Sequence, residues 1–169
     1  MSSFQIHTFG CKVNSYDSSL LEKAMESKGF FLGELPKIHI LNTCAVTGEA
    51  TQAARKQIRR LKRQQSDALV VVTGCAAQVD TDKLEPVKEA DIIIANSHKQ
   101  QLPDIISKHL KGENTERIYK SNIFKKEDFE PGGGTESSKT RTFLKIQDGC
   151  NSFCTYCVIP FARGKSRSL

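Results

Sequence analysis

The chain has 169 residues, of which 38% are hydrophobic and 26% charged, and this composition indicates a folded soluble protein rather than a disordered or membrane one. No apolar run approaches the ~20 residues of a membrane helix, and the N-terminal residues lack the pattern of a secretion signal. Six cysteines in such a chain favour metal or redox chemistry over a disulfide framework, so we expect a cytoplasmic protein.

The first hundred residues alternate between strand and helix patterns. Short apolar or β-branched runs predict strands, and the segments between them carry apolar residues at helical spacing. The predicted strands are 4–9, 38–41, 68–73 and 91–95, and the predicted helices are 15–27, 47–65, 86–90 and 102–110. Strands that alternate with helices indicate an α/β fold with an open parallel sheet, flanking helices and right-handed crossovers.

The chain changes character after the last of these helices. Residues 111–139 contain a Pro-Gly-Gly-Gly stretch and many Ser, Glu and Lys residues, which is typical of a linker or a surface extension. Residues 141–147 then alternate like a further strand, and three cysteines follow. We therefore predict an N-terminal α/β domain over 1–110, a linker over 111–139 and the start of a second domain over 140–169.

Basic residues are concentrated in two places within a chain of net charge +6. Six of the nine residues from 55 to 63 are Lys or Arg with no acid among them, and residues 141–169 hold five basic residues against Asp148 alone. Lys and Arg contact nucleic-acid phosphates, although a solvated helix face has a similar composition. The candidate RNA-contacting residues are Arg55, Arg59, Arg60 and Arg63.

Three dispersed cysteines, here called the first triad, each follow a predicted strand: Cys11, Cys44 and Cys75. The carboxyl ends of parallel strands share one edge of a sheet, which is where such sheets bind ligands, so the fold can bring the three thiols together. Gly10 and Gly74 precede two of them and leave room for a bulky inorganic group. A single cysteine is more often a small buried hydrophobe, but three equivalent positions favour a shared site.

The other three cysteines, the second triad, lie within eight residues: Cys150, Cys154 and Cys157. Three thiolates on such a loop can hold three irons of a four-iron, four-sulfur cluster and leave the fourth iron open to a substrate. Zinc is the competing metal, but structural zinc takes four ligands, and the nearest histidine along the chain is His109. A disulfide with a spare thiol fits poorly with a cytoplasmic chain. The spacing therefore favours iron–sulfur chemistry over zinc.

The second triad, with Tyr156 before its last cysteine, resembles the signature of radical S-adenosylmethionine enzymes. Its surroundings over 148–151 and 159–164 resemble those in one family of that group, the methylthiotransferases. The segments that resemble the N-terminal domain of the same family are 8–18, 42–47 and 73–78, around the first triad. The resemblance thus covers the whole chain and is weakest over the predicted linker.

The resemblance implies two four-iron clusters and S-adenosylmethionine as cofactors. In this family the open iron of the cluster on the second triad binds S-adenosylmethionine, which is cleaved to a 5′-deoxyadenosyl radical, and Tyr156 would lie near it. The positions of Cys11, Cys44 and Cys75 match those that hold an auxiliary cluster, which carries or donates the inserted sulfur. The reaction replaces an unactivated C–H bond by C–S–CH3, and the protein places the clusters and the target.

The tripeptide 12–14, Lys-Val-Asn, resembles most the branch that modifies N6-threonylcarbamoyladenosine beside the tRNA anticodon. The branches acting on isopentenyl-adenosine and on a ribosomal-protein aspartate tend to have Gln-Met-Asn and Pro-Lys-Asn there. We therefore expect part of an enzyme whose partner is the anticodon stem-loop of tRNA. Since a radical-enzyme barrel normally continues for about 200 residues beyond the cysteines, we expect this chain alone to be catalytically incomplete. The alternatives are a non-catalytic iron–sulfur module and a zinc-stabilised RNA-binding domain.

Overall fold

Six parallel strands form the main sheet in the computed structural model, which describes residues 2–113, 116–127 and 143–168. The strands are β1 (Ser3–Thr8), β2 (Phe31–Leu32), β3 (Ile38–Thr43), β4 (Leu69–Gly74), β5 (Ile92–Ala95) and β6 (Ile118–Tyr119). Their order across the sheet is β2-β1-β3-β4-β5-β6, with parallel pairing throughout. The predicted α/β fold with an open parallel sheet is confirmed.

Helices cover both faces of this sheet. They are α1 (Lys12–Ser27), α2 (Gly48–Gln64), α3 (Cys75–Val79), α4 (Thr81–Leu84) and α5 (Leu102–Leu110), and a 3₁₀ helix (Asn96–Gln101) leads into α5. Residues of α1 and α5 pack around Ile40 and Ile94 on one face, and residues of α2, α3 and α4 pack around Leu41 and Ile93 on the other. Within the described residues, each helix is too short or too polar to cross a membrane.

Strand β4 is buried on both faces, as its run of β-branched residues predicts. Val71 belongs to the core under α1 and α5, whereas Val70 and Val72 belong to the core under α2. Successive side chains of a strand point to opposite faces, and each large aliphatic side chain buried contributes about 1.5–3 kcal/mol. Because β4 is held between both cores, its carboxyl end has a defined position at the edge of the sheet.

Two predicted elements differ from the structure. The predicted helix over 86–90 is wrong, because residues 85–90 form turns while α3 and α4 occupy 75–84. Val87 and Ala90 are buried against the sheet from those turns. The predicted strand over 141–147 is wrong over 143–146, which forms neither strand nor helix, and residues 141–142 lie outside the described residues.

A small second segment follows the sheet. It contains β7 (Gln147–Asp148), α6 (Ile159–Arg163) and β8 (Arg167–Ser168), with β7 and β8 antiparallel and α6 packed against α3. Strand β6 and a 3₁₀ helix (Ile123–Lys125) lie beyond residue 110, so the sheet continues into the region predicted as a linker. The other residues of that region, 114–115 and 128–139, lie outside the described residues.

Strand β4 passes into helix α3 without a loop, and this junction places Cys75 at the edge of the sheet. Gly74 has a φ angle of +96°, which glycine adopts more readily than any other residue. A Cβ at Gly74 would lie 2.6 Å from the backbone nitrogen of Thr43 and 2.7 Å from Asn42 Oδ1. The close approach of β3 and β4 at their carboxyl ends therefore requires glycine.

We expect Gly74→Ala to lower the free energy of unfolding by about 2–5 kcal/mol, because a left-handed conformation costs about 1–2 kcal/mol and overpacking about 1–3 kcal/mol. Urea unfolding of the metal-free chain measures the loss. Gly112→Ala is the matched control, since Gly112 also has a positive φ angle, +72°, but nothing lies within 4 Å of the added Cβ. Equal losses from the two substitutions would contradict the steric argument.

Candidate functional site

Cys44 and Cys75 lie side by side at the carboxyl edge of the sheet. The last residues of β3 and β4, Thr43 and Gly74, are paired across the two strands, and each cysteine is the next residue along the chain. Both side chains are buried. Because neighbouring strands lie about 4.8 Å apart, the two cysteines leave the sheet as neighbours.

Cys11 reaches the same edge from strand β1. It is the exposed N-cap residue of α1 and lies three residues beyond Thr8, which pairs with Asn42 of β3. Gly10 packs so closely against Cys44 that a Cβ at Gly10 would lie 2.5 Å from Cys44 Sγ. The three cysteines of the first triad therefore occupy one edge of the sheet, with the Cys11 loop resting on Cys44.

The residues of the first triad supply the thiolate donors that an iron–sulfur cluster requires. Among the described residues, no three His, Cys, Asp or Glu side chains converge as ligands of a single metal ion. A four-iron cluster distributes three thiolates over three different irons and so spreads its ligands more widely. Two buried thiols beside an exposed one, at an edge where glycine leaves room, match that donor set.

Polar and cationic side chains surround the buried Cys75 thiol. Asn96 Nδ2 donates to Cys75 Sγ at 3.7 Å, and Cys75 Sγ lies 3.9 Å from its acceptor, Asn14 Oδ1. Burial raises the pKa of the Cys75 thiol, while the positive charges of Arg163 and Lys99 and the Asn96 hydrogen bond oppose that rise. Burial has the larger effect, so the pKa of the Cys75 thiol is raised overall, and the two cations and Asn96 reduce the cost of forming the thiolate that binds metals.

Asp17 on helix α1 is the centre of a buried group of charges. Its carboxylate, only 6% exposed, is paired with Lys99 at 3.1 Å, Lys145 at 2.9 Å and Arg163 at 3.0 Å. Burial alone would raise the pKa of Asp17, but the three cations outweigh it and hold the pKa well below its usual range. We call Asp17, Lys99, Lys145, Asp148 and Arg163 the Asp17 charge cluster.

Asp148 and Arg163 connect this charge cluster to the second triad. Asp148 lies two residues before Cys150 and accepts a hydrogen bond from Arg163 Nη1 at 2.9 Å. Burial raises the pKa of Asp148, but the charges of Arg163 and Lys145 more than offset that effect and the pKa is lowered. One buried guanidinium thus contacts helix α1 and the residue that leads into the second triad.

The second triad lies on a turn-rich loop between β7 and α6. Cys154 is exposed, whereas Cys150 and Cys157 are half-buried. The backbone N–H of Ser152 donates to Cys150 Sγ at 3.5 Å, and this bond lowers the pKa of the Cys150 thiol. Phe153 adopts a φ angle of +46°, which is uncommon for a residue with a side chain. The loop therefore turns sharply and leaves its three thiols accessible.

Aromatic side chains flank the second triad. Phe124, Phe153 and Phe161 form a group with ring centroids 5.8–6.1 Å apart. Tyr156 is 90% exposed, so the residue predicted to lie near S-adenosylmethionine is open to a ligand. A cleft of about 760 Å³, lined by Gln78, Phe161 and other residues, opens beside this group, and its size is that of an ordinary ligand pocket.

The basic residues of α2 do not form one uniform surface. Lys62 is held in an ion pair of 2.8 Å with an aspartate at the start of β5. Arg55 is half-buried, and its Nε has no partner among the described atoms. Arg59, Arg60 and Arg63 are exposed along the helix. Their contact with RNA stays a prediction.

Four polar residues near the triads had no role assigned from the sequence: Asn14, Asp17, Asn96 and Arg163. Asn14 and Asp17 lie on the buried face of α1, which continues through Leu21 and Met25. The sequence signal that could have identified them is two polar residues at helical spacing, in line with the apolar residues of the buried face. Asn96 and Arg163 carry no such signal, because their partners lie far away in sequence.

The sequence matches known proteins over its whole length. Residues 3–96 match the model of a family described as uncharacterized protein family UPF0004. Threonylcarbamoyladenosine tRNA methylthiotransferase MtaB of Aquifex aeolicus is 37% identical over an alignment of 168 positions that covers 96% of this chain and 40% of the relative. MtaB of Rickettsia prowazekii is 36% identical over an alignment of 171 positions that covers 98% of this chain and 37% of the relative.

A second kind of relative also matches. The tRNA-2-methylthio-N(6)-dimethylallyladenosine synthase of Syntrophus aciditrophicus is 34% identical over an alignment of 174 positions that covers 96% of this chain and 37% of that relative. The chain therefore spans about two fifths of the length of these curated relatives.

We expect Asp17→Asn to lower the free energy of unfolding of the metal-free chain by about 3–5 kcal/mol at pH 7, because it leaves buried cations without their counter-charge. A carboxyl whose pKa is lower in the folded than in the unfolded state stabilises the fold above the unfolded pKa of about 3.9. The difference between the two proteins should therefore be full at pH 7 and shrink as the pH falls below about 4.

Urea unfolding from pH 7 down to pH 3.5 measures this difference. Asp104→Asn is the matched control, since Asp104 pairs with Lys28 at 2.6 Å on the surface and its side chain is 53% exposed. An exposed pair of this kind contributes at most about 1 kcal/mol. A loss for Asp17→Asn no larger than that of the control would contradict the central place of Asp17.

Proposed function

The chain belongs to the UPF0004 family, and from that premise we propose that it supplies the N-terminal part of a radical S-adenosylmethionine tRNA methylthiotransferase. The observation that carries the proposal is the placement of two cysteine triads, one at the carboxyl edge of the sheet and one on the adjoining loop, joined by buried Arg163. Because the chain spans about two fifths of its curated relatives, the activity proposed is that of the whole enzyme.

Each triad would hold one four-iron cluster. Cys11, Cys44 and Cys75 would hold the auxiliary cluster, and the second triad would hold the cluster that binds S-adenosylmethionine, with Tyr156 close by. When bound, these groups supply the one-electron chemistry and the sulfur that turn an aromatic C–H bond into a methylthio group.

The chain's own side chains would bind and orient these groups rather than transfer protons. Arg163 and Lys99 favour the thiolate of Cys75 by their charge, and the Ser152 N–H does the same for Cys150. The cleft beside Phe161 is also lined by Val158, the residue after Cys157, so a substrate bound there would lie next to the loop of the second triad.

The proposed substrate is N6-threonylcarbamoyladenosine beside the anticodon of tRNA, modified in the cytoplasm. It is supported by the MtaB relatives and by the Lys-Val-Asn tripeptide after Cys11. The alternative is the isopentenyl (dimethylallyl) adenosine of tRNA, which relatives of the second kind favour.

We expect anaerobic reconstitution with iron and sulfide to give about eight irons per chain, the content of two four-iron clusters. Replacing either triad by alanines should leave about four irons, because each triad would bind its cluster independently. Iron and sulfide analysis with EPR of the reduced protein measures this, and the two triple variants are controls for each other.

Other outcomes of reconstitution assign other functions. Stoichiometric zinc without iron would make the chain a zinc-stabilised RNA-binding domain. Loss of nearly all iron from a single triple variant would contradict two separate sites. If the EPR spectra of the full-length protein do not change when S-adenosylmethionine is added, the protein is a non-catalytic iron–sulfur module.

Deleting the gene should remove the 2-methylthio group from N6-threonylcarbamoyladenosine in the host's tRNA and leave the unmethylthiolated nucleoside in its place. Mass spectrometry of digested tRNA measures both nucleosides. Restoring the intact gene should restore the group, whereas restoring it with Cys150→Ala should not, because one ligand of the second cluster is then absent. Loss of the methylthio group from isopentenyl-adenosine instead would assign the chain to the other branch.

A further inference from the structure

Arg163 belongs to the segment of the second triad, but its charged end is buried against the sheet domain. It is the last residue of α6, six positions after Cys157, and it is only 5% exposed. Its Nη2 donates to Asn14 Oδ1 at 2.8 Å and to Asp17 Oδ2 at 3.0 Å. The planar fork of N–H groups in arginine permits this double contact, which a single ammonium reproduces less well.

Asn14 continues the contact from Arg163 to the first triad. Its Oδ1 accepts from Arg163 and from Cys75 Sγ, while its Nδ2 donates to the carbonyls of Phe9 and Thr43, both at 2.9 Å. Phe9 lies two residues before the first cysteine of the triad, and Thr43 directly precedes the second. One amide side chain, oriented by Arg163, therefore contacts the surroundings of all three cysteines.

The other side of the guanidinium fixes the loop of the second triad. Arg163 Nη1 donates to Asp148 Oδ1 at 2.9 Å, and the same oxygen accepts from the backbone N–H of Gly149 at 3.0 Å. The N–H of Cys150 donates to the carbonyl of Gly164, the residue after Arg163, at 3.1 Å. The start of the cysteine loop is thus bonded to Arg163 and its neighbour.

These contacts place a buried positive charge between the two triads. A charge removed from water acts on its neighbours with little screening, and net charge and hydrogen bonds near the sulfurs set the potential of an iron–sulfur cluster. A nearby cation favours the reduced cluster, because that form carries one more negative charge.

We propose that Arg163 is a positioning residue that holds the second triad against the first and raises the potential of the cluster on Cys11, Cys44 and Cys75. The proposal rests on the cluster assignment under the proposed function. It adds that one side chain, bonded to residues beside both triads, affects the properties of both sites.

The test uses a background in which Cys150, Cys154 and Cys157 are alanine, so that only the first cluster remains. Arg163→Gln should lower the reduced-to-oxidised ratio at a fixed potential at least tenfold, about 59 mV for a one-electron couple, in an EPR-monitored titration. Arg163→Lys keeps the charge and should shift the potential less. Lys108→Gln is the control, because it removes one charge from the exposed surface of α5.

Metal-free protein with all six cysteines gives a second, independent readout. In the parent, backbone ¹⁵N relaxation should show residues 150–157 tumbling with the sheet, and in Arg163→Gln these amides should become more mobile while β3 and β4 stay unchanged. The same loss of order in Lys108→Gln would overturn the proposal.

Other results with the Arg163 variants also test the proposal. An unchanged potential in folded Arg163→Gln, or an equal shift in Lys108→Gln, would overturn the proposal, and so would unfolding of both Arg163 variants, which would make the residue purely structural. Loss of the cluster from Arg163→Gln alone, with the fold intact, would also overturn it, because Arg163 would then be required for cluster binding rather than for the potential. If the background protein takes up no cluster, the proposed function fails instead, and the relaxation measurement then decides the role of Arg163.

Discussion

Asp17 is a buried carboxylate shared by three cations that come from three parts of the chain. Lys99 follows strand β5, Lys145 precedes the second triad, and Arg163 ends helix α6. Removing each of these ions from water costs several kcal/mol, and their mutual attraction offsets that cost only when the geometry is satisfied throughout. The arrangement therefore specifies one placement of the second segment on the sheet more than it adds to stability. The Asp17 charge cluster contains two carboxylates and three cations, so a net positive charge remains beside the thiols of the first triad.

The two triads are built in different ways. The first depends on the whole sheet, because Cys44 and Cys75 are neighbours only when β3 and β4 are paired in register, and a slip of one residue would turn the side chains to opposite faces. The second depends on local turns such as the bond from the Cys157 N–H to the Cys154 carbonyl at 2.9 Å. Partial unfolding of the sheet would therefore separate the first set of thiols while leaving the spacing of the second almost intact.

Much of the fold could be predicted from the sequence because its signals are local. The β-branched run of β4, the capping residue Thr47 and the helical spacing in α2 each act within a few residues, and the structure has all three. The strands β2 and β6 have two residues each, too few to show a period, and the turns over 85–90 bury Val87 without a helix. The common edge of Cys11, Cys44 and Cys75 followed from the strand ends. The bonds from Arg163 to Asn14 and from Lys99 to Asp17 span 149 and 82 residues, and no local pattern indicates such pairs.

Within the first triad, Cys11 is exposed while Cys44 and Cys75 are buried. An inorganic group bound there would therefore have one ligand facing solvent and two facing the interior. If the proposed cluster is bound there, oxidants and chelators approaching from solvent would reach the sulfur of Cys11 first. The sulfurs of Cys44 and Cys75, which follow adjoining strands, would be shielded from solvent and would continue to hold the group.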